Sequence, residues 1–321
     1  MVGGEAVRIV ICDDSATYAE ALTRFLQHDP AVRVVGVFPT AEEMLPQLER
    51  LDPDLVTMDL EMPGMGGLEA ITDIMRDRPL PILVLSAEAG KGSEKAAEAL
   101  AAGALEAMAK SSLQLLEPAD VWATATRSRF KRLASVQLKR RTRTGRVGPA
   151  PPQRRDVTWP FRVLGIGAST GGPPALLSVL GALPSSFRLP VIVVQHITPG
   201  FTEGLVTWLN RSLKLPVAFA EPGAIARPGI WVAPDDGHVC LEPSMRFLID
   251  RKTRSGAHRP SVDMLLQSLA ASVGAEAMGV ILTGMGRDGA EGVEALRAAG
   301  GSVIAQDQET SAVFGMPRAA I

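Results

Sequence analysis

The chain has 321 residues, 46% of them hydrophobic and 21% charged, with a formal net charge of −2. That length suits two domains of about 150 residues each, and the composition is that of an ordinary soluble globular protein. No apolar run approaches the ~20 residues that cross a bilayer, no signal peptide is expected, and two cysteines cannot build a disulfide framework. A reduced, cytoplasmic protein with no membrane insertion is expected.

In chain order, apolar runs at 7–12, 32–38, 55–58, 82–86 and, weakly, 104–109 read as strands. Helical segments at 15–27, 41–51, 67–76 and 93–102 separate them. Strands alternating with helices predict a parallel sheet covered on both faces. Between Arg127 and Arg155 the chain carries eleven Lys or Arg and no acid, so a net −2 with +11 in that stretch leaves −13 elsewhere. The stretch ends in Gly148-Pro149-Ala150-Pro151-Pro152, and reads as an exposed linker, helical over about 128–138. It also admits a nucleic-acid arm, although Phe130 is its one stacking residue. Beyond it, strands at 162–166, 190–195, 216–220, 229–233, 278–283 and 301–306 repeat the rhythm. The predicted domains are 1–123, a linker 124–160, and 161–321. Both domains are α/β, with sites beyond the carboxyl ends of the strands.

Those ends carry the chemistry. Asp13-Asp14 end the first strand, Asp59 the third, Ser86 the fourth, and Lys110 follows the fifth. Three carboxylates in one cleft attract a hard cation such as Mg²⁺, and Asp59 is placed to accept a phosphoryl group. Ser86 and Lys110 suit phosphate oxygens. In the second domain a strand runs into Gly167-Ala168-Ser169-Thr170-Gly171-Gly172 and a helix. A serine on such a bend is a nucleophile candidate, while an anion cradle or a plain turn fits the same glycines. His196 ends the next strand as a candidate base. Asp288, in Gly284-Met285-Gly286-Arg287-Asp288-Gly289, is a candidate orienting acid or a helix cap. The order Ser, His, Asp differs from that of the α/β-hydrolases. Trp159, Trp208 and Trp231 are expected in cores or interfaces and Cys240 buried, while His238 and His258 either line the cleft or stand on solvent-exposed loops.

The first half, through Ile9-Val10-Ile11-Cys12-Asp13-Asp14, Met58-Asp59-Leu60-Glu61-Met62-Pro63-Gly64 and Leu83-Val84-Leu85-Ser86-Ala87, resembles the receiver domain of response regulators. The resemblance implies a flavodoxin-like doubly wound sheet, phosphorylation of Asp59 by a histidine kinase, and Mg²⁺ held by Asp13, Asp14 and Asp59. It departs from the family in Ser111 after Lys110, where proline is usual, and in Ala107, where an aromatic switch residue is usual. The second half, through Gly165-Ile166-Gly167-Ala168-Ser169-Thr170-Gly171-Gly172-Pro173, Gln195-His196-Ile197-Thr198-Pro199-Gly200-Phe201-Thr202, Arg259-Pro260-Ser261-Val262-Asp263, the Asp288 loop and Phe314-Gly315-Met316-Pro317, resembles the chemotaxis protein-glutamate methylesterase family. This implies a mostly parallel α/β catalytic domain, a Ser169–His196–Asp288 triad, an oxyanion donor at Met285 with Thr170 beside it, and no cofactor for hydrolysis. The expected substrates are glutamyl methyl esters of chemoreceptors, cleaved to methanol, and receptor glutamines, deamidated by the same chemistry. The family normally continues past the point where this chain stops, Ile321, so a shortened end is expected. A receiver-controlled scaffold without turnover, or a DNA-binding regulator using the basic linker, are the competing readings; nucleic acid is not the expected partner.

Overall fold

The computed structural model describes residues 6–87, 93–113, 121–138, 160–253 and 258–321. β1 (Val7–Cys12), β3 (Leu55–Asp59) and β4 (Ile82–Ser86) are short apolar runs whose later residues are buried on both faces, as central parallel strands require. β2 (Val32–Phe38) is half-exposed at one edge, and β5 (Glu106–Ala109) closes the other. All pairings are parallel in the order β2-β1-β3-β4-β5, so the weak fifth strand is real and the doubly wound expectation holds. Helices α1 (Ala16–Gln27), α2 (Ala41–Met44) with α3 (Leu48–Leu51), α4 (Gly66–Asp77) and α5 (Ser93–Ala102) cover the faces. Ser15 starts α1 by accepting the Tyr18 amide, which leaves the acids just before it on the open rim.

The helix expected over 128–138 runs instead over α6 (Val121–Ala134). Ala123, Phe130 and Leu133 make one apolar stripe that packs with Ile9 of β1 and Phe25 of α1, and the buried Arg127 of the same helix lies over the Phe25 ring at 5.1 Å. The basic, proline-rich stretch from 139, and Trp159, lie outside the described residues.

The second sheet runs β13-β12-β6-β7-β9-β8, and every pairing in it is parallel. Its strands are β6 (Val163–Ala168), β7 (Pro190–Gln195), β8 (Val217–Phe219), β9 (Gly229–Val232), β12 (Ala277–Ile281) and β13 (Ser302–Ala305). An antiparallel hairpin, β10 (His238–Leu241) with β11 (Phe247–Asp250), was not expected; it packs Val239, Leu241 and Phe247 under the same core. Helices α7 (Gly172–Gly181), α8 (Thr202–Ser212), α9 (Val262–Ser272), α10 (Ala290–Ala298) and α11 (Met316–Ala320) complete it. Trp208 is buried on α8, and Trp231 packs on Phe247 at 5.3 Å between ring centroids.

The two sheets meet through helices. Ala97 of α5 is buried among Leu176, Leu205 and Leu209 of the second domain, while Phe201, just before α8, is buried with Leu100 and Ala104 of the receiver. An Arg211–Glu94 ion pair flanks this contact. No helix among the described residues is long and apolar enough to cross a membrane.

Candidate active site

On the receiver rim, β1 and β3 pair directly, so Asp13, Asp14 and Asp59 converge although 45 residues separate the last two. Each offers a carboxylate oxygen, and the three lie within 4.8 Å of one another. Asp13 and Asp59 are buried and Asp14 is exposed. An all-oxygen donor set with one open side suits a hard divalent cation. Lys110 bridges the buried pair, its Nζ 2.6 Å from Asp13 Oδ2 and 2.7 Å from Asp59 Oδ2. Burial pushes the Asp13 carboxyl up despite that ammonium, and burial opposes, without cancelling, the upward pull of the two acids on Lys110. The Glu61 amide donates to Asp59 Oδ1, and Ser86 lies buried at the tip of β4.

On the other sheet, β6, β7 and β12 are neighbours, so their tips deliver Ser169, His196 and the Asp288 loop to one rim. Ser169-Thr170-Gly171-Gly172 is a tight turn closed by the Gly172 amide on the Ser169 carbonyl at 2.7 Å. Gly171 sits there at φ +73°, which a side chain resists. His196 Nε2 lies 2.8 Å from Asp288 Oδ2, and both side chains are 9% exposed. Its Nδ1 is buried with no partner among the described residues, leaving a free ring nitrogen in a residue that lines the same cavity as Ser169.

Asp288 lies across the first turn of α9. It accepts from Ser261 Oγ (2.9 Å), the Val262 amide (2.8 Å) and the Asp263 amide (3.1 Å). Burial alone raises this carboxyl; the facing His196 and the two amides outweigh burial and hold it well below the carboxylate range. Asp288 therefore pairs with the histidine and with the start of α9 rather than capping its own helix α10, whose N-cap is Gly289. His258 stacks on His196, with centroids 4.2 Å apart and planes 11° from parallel. Burial first, and then the charge of His196, push the His258 imidazole down, which favours a neutral stacking partner.

A cavity of about 530 Å³ holds Ser169, Thr170, His196, His258, Met285 and Gly286 on one wall. Its opposite wall comes from the receiver and α6: Leu100, Leu105, Glu106, Ala107 and Arg129. The contact is polar and direct. Thr198 Oγ1, two residues past His196, donates to the Ala107 carbonyl at 2.6 Å. Arg129 spans Glu106 at 2.6 Å and Thr198 at 3.4 Å. Met285 also packs against the receiver core.

Of the other expected residues, His258 lines the cleft, whereas His238 does not. It is buried on β10, its Nε2 3.2 Å from the Thr253 carbonyl, because its strand alternation turns it under the hairpin. Cys240 is buried and unpaired, as expected. Sequence reasoning passed over Ser261, Thr198 and Gln195 as site residues. Each stood in a recognised motif, but its role depends on a partner remote in sequence or on a backbone carbonyl.

Two sheets, each with a polar cluster on its carboxyl rim, define the class: a receiver joined to an α/β enzyme domain that it partly covers. The comparisons agree in detail. Residues 9–117 match the response regulator receiver domain model, and residues 164–321 match the CheB methylesterase model. A protein-glutamate methylesterase/protein-glutamine glutaminase of Syntrophus aciditrophicus is 39% identical over 98% of this chain and 92% of its own. One from Myxococcus xanthus is 40% identical over 98% and 88%, respectively. The solved catalytic domain of Thermotoga maritima CheB methylesterase is 40% identical, covering 50% of this chain and 87% of its own, with a TM-score of 0.48. The chain belongs to the receiver-containing protein-glutamate methylesterase/protein-glutamine glutaminase family.

Proposed function

We propose that the protein hydrolyses glutamyl methyl esters of chemoreceptors, with Ser169 as nucleophile, His196 as base and Asp288 as the orienting acid. The observation that carries this reading is the 2.8 Å His196–Asp288 pair, which leaves the second ring nitrogen free in the cavity that Ser169 lines. Ser169 Oγ attacks the ester carbonyl while His196 takes its proton. The tetrahedral oxyanion lies toward the Met285 amide, beside Thr170. As the carbonyl re-forms, the C–O bond breaks and methanol leaves with the proton from His196. Water, deprotonated by the same imidazole, then attacks the acyl carbonyl; the bond to Ser169 Oγ breaks as that oxygen takes the proton back from His196, and the receptor's glutamyl side chain leaves as a carboxylic acid. A glutamine carboxamide follows the same course with ammonia as leaving group. Hydrolysis in this scheme uses only these side chains and backbone amides.

Control is assigned to the receiver. A carboxylate oxygen of Asp59 attacks the phosphorus of a histidine kinase's phosphohistidine, forming an acyl phosphate and releasing the imidazole. Asp13, Asp14 and Asp59 would hold Mg²⁺, whose charge offsets that of the phosphoryl oxygens. Lys110 and Ser86 reach for those oxygens, so Lys110 loosens its grip on Asp13. The wall of the cavity formed by Glu106 and Ala107 connects directly to this pocket through β5, and supports gating of access by phosphorylation. Receptor tails and kinase place this work in the cytoplasm.

The testing experiment is methanol release from methylated receptor membranes, with and without acetyl phosphate and Mg²⁺. Release that rises with the donor is expected. A protein that releases no methanol under either condition overturns the reading.

A further inference from the structure

Ser169 and His196 leave neighbouring strands on separate loops; the His196 amide on the Ala168 carbonyl, at 2.9 Å, ties the loops at their base, and their placement beyond that point calls for a second tie. Gln195, the last residue of β7, is 4% exposed and points into that gap. Its Nε2 donates to the Ser169 carbonyl at 2.8 Å and to the His196 carbonyl at 2.9 Å. One side-chain nitrogen thus spends both hydrogens on the backbones of the nucleophile and the base. The reverse amide orientation would set its oxygen against two carbonyl oxygens, so the assignment is fixed by chemistry.

Two further observations point the same way. The Gln195 Oε1 is buried with no hydrogen-bond partner among the described residues, a cost that packing alone does not explain. A Cβ on Gly172 would lie 2.0 Å from that oxygen, so the glycine of the nucleophile turn makes room for this side chain. The Ser169 carbonyl then takes two donors, the Gly172 amide and Gln195 Nε2, which hold the turn at the angle that presents Oγ.

We propose that Gln195 is a positioning residue for the hydrolytic reaction, a carboxamide strap that fixes Ser169 and His196 relative to each other. This deepens the reading above and rests on it. Gln195 touches no reacting atom, so it should act on kcat and on the reactivity of Ser169, and leave KM alone.

The test compares the full-length parent with Gln195→Met, Gln195→Asn and Ser169→Ala, in acetyl phosphate and Mg²⁺. Methanol release is scored per serine titrated by a fluorophosphonate, together with the fluorophosphonate inactivation rate. Gln195→Met keeps the shape and loses both donors; a fall of about 10²-fold in kcat is expected, since small displacements of reacting groups cost that much. Inactivation should slow in parallel, with KM within twofold. Gln195→Asn, one methylene shorter, reaches one carbonyl at most and should fall between; it is the variant read if the Met form does not fold. Rates per titrated serine within threefold of the parent in the folded variants overturn the strap. An active Ser169→Ala enzyme overturns the nucleophile reading itself, and the two failures are separate results.

Discussion

Asp288 holds four partners through two oxygens, His196 and three groups at the start of α9. The first turn of α9 contributes two amides and the positive end of its dipole, so the carboxylate stays ionised and faces Nε2. Replacing it with Asn sets an amide hydrogen or a weaker acceptor against the ring; a loss of about 10⁴ in kcat is expected, read as methanol release at saturating substrate. Near-normal turnover would reduce Asp288 to a structural role. Ser169→Ala removes the hydroxyl of the proposed nucleophile from a half-buried position on the turn and leaves the backbone that packs there, so it should cost at least about 10⁴ in rate with an unchanged melting temperature. Asp263 offers a pH test. Burial, opposed by the Gly292 amide and helped by the charge of Asp288, pushes its carboxyl up to about 6. Because the folded value lies above the unfolded one, the ionised form costs stability as pH rises from about 4 to 6, and the cost stays above that. Asp263→Asn keeps an acceptor for the Gly292 amide without the charge. Its melting temperature should gain on the parent at pH 8 and not at pH 4; equal differences at both would remove the charge argument.

At the scale of elements, β5 and α6 form the receiver's grip on the catalytic loop. The absent aromatic at position 107 removes ring rotation as a signal, but the Ala107 carbonyl itself holds Thr198. In the proposed regulation, a shift of β5 would act on the loop after His196 through backbone. Thr198→Val keeps the shape and removes the hydroxyl. With one hydrogen bond worth about 1 kcal/mol, basal methanol release should rise up to about fivefold and the stimulation by acetyl phosphate should shrink. Unchanged stimulation would place the coupling elsewhere, with α5 and its contacts on α7 and α8 as the next element to test. The bounds of helix α6 differ from those its charge pattern suggests. Its basic residues drew attention to charge, while the stripe Ala123, Phe130 and Leu133, which fixes its position, is spaced at helical intervals and starts before the charged run.

In the whole molecule, two sites on two sheets are linked by packed helices and by polar contacts such as Thr198–Ala107, Arg129–Thr198 and Arg211–Glu94, so acetyl phosphate with Mg²⁺ should stimulate the parent and leave full-length Asp59→Ala at its basal rate. A stimulated Asp59→Ala protein would assign the phosphoryl acceptor to another residue. The sequence by itself determined the parallel strands of both sheets and the principal polar residues at their tips. β-Branched runs specify buried parallel strands, and a parallel strand delivers whatever follows it to one edge; hence Asp13, Asp59, Ser169, His196 and Asp288 were legible as strand-tip residues. Only the tertiary structure decided which ring nitrogen of His196 meets Asp288, that His258 stacks on it while His238 is buried elsewhere, and that Glu106, Ala107 and Arg129 wall the cleft. These contacts join residues such as Ala107 and Thr198, 91 positions apart. Periodicity reports which face of an element is apolar; it carries no record of which distant carbonyl a hydroxyl or carboxamide will find once the faces are buried.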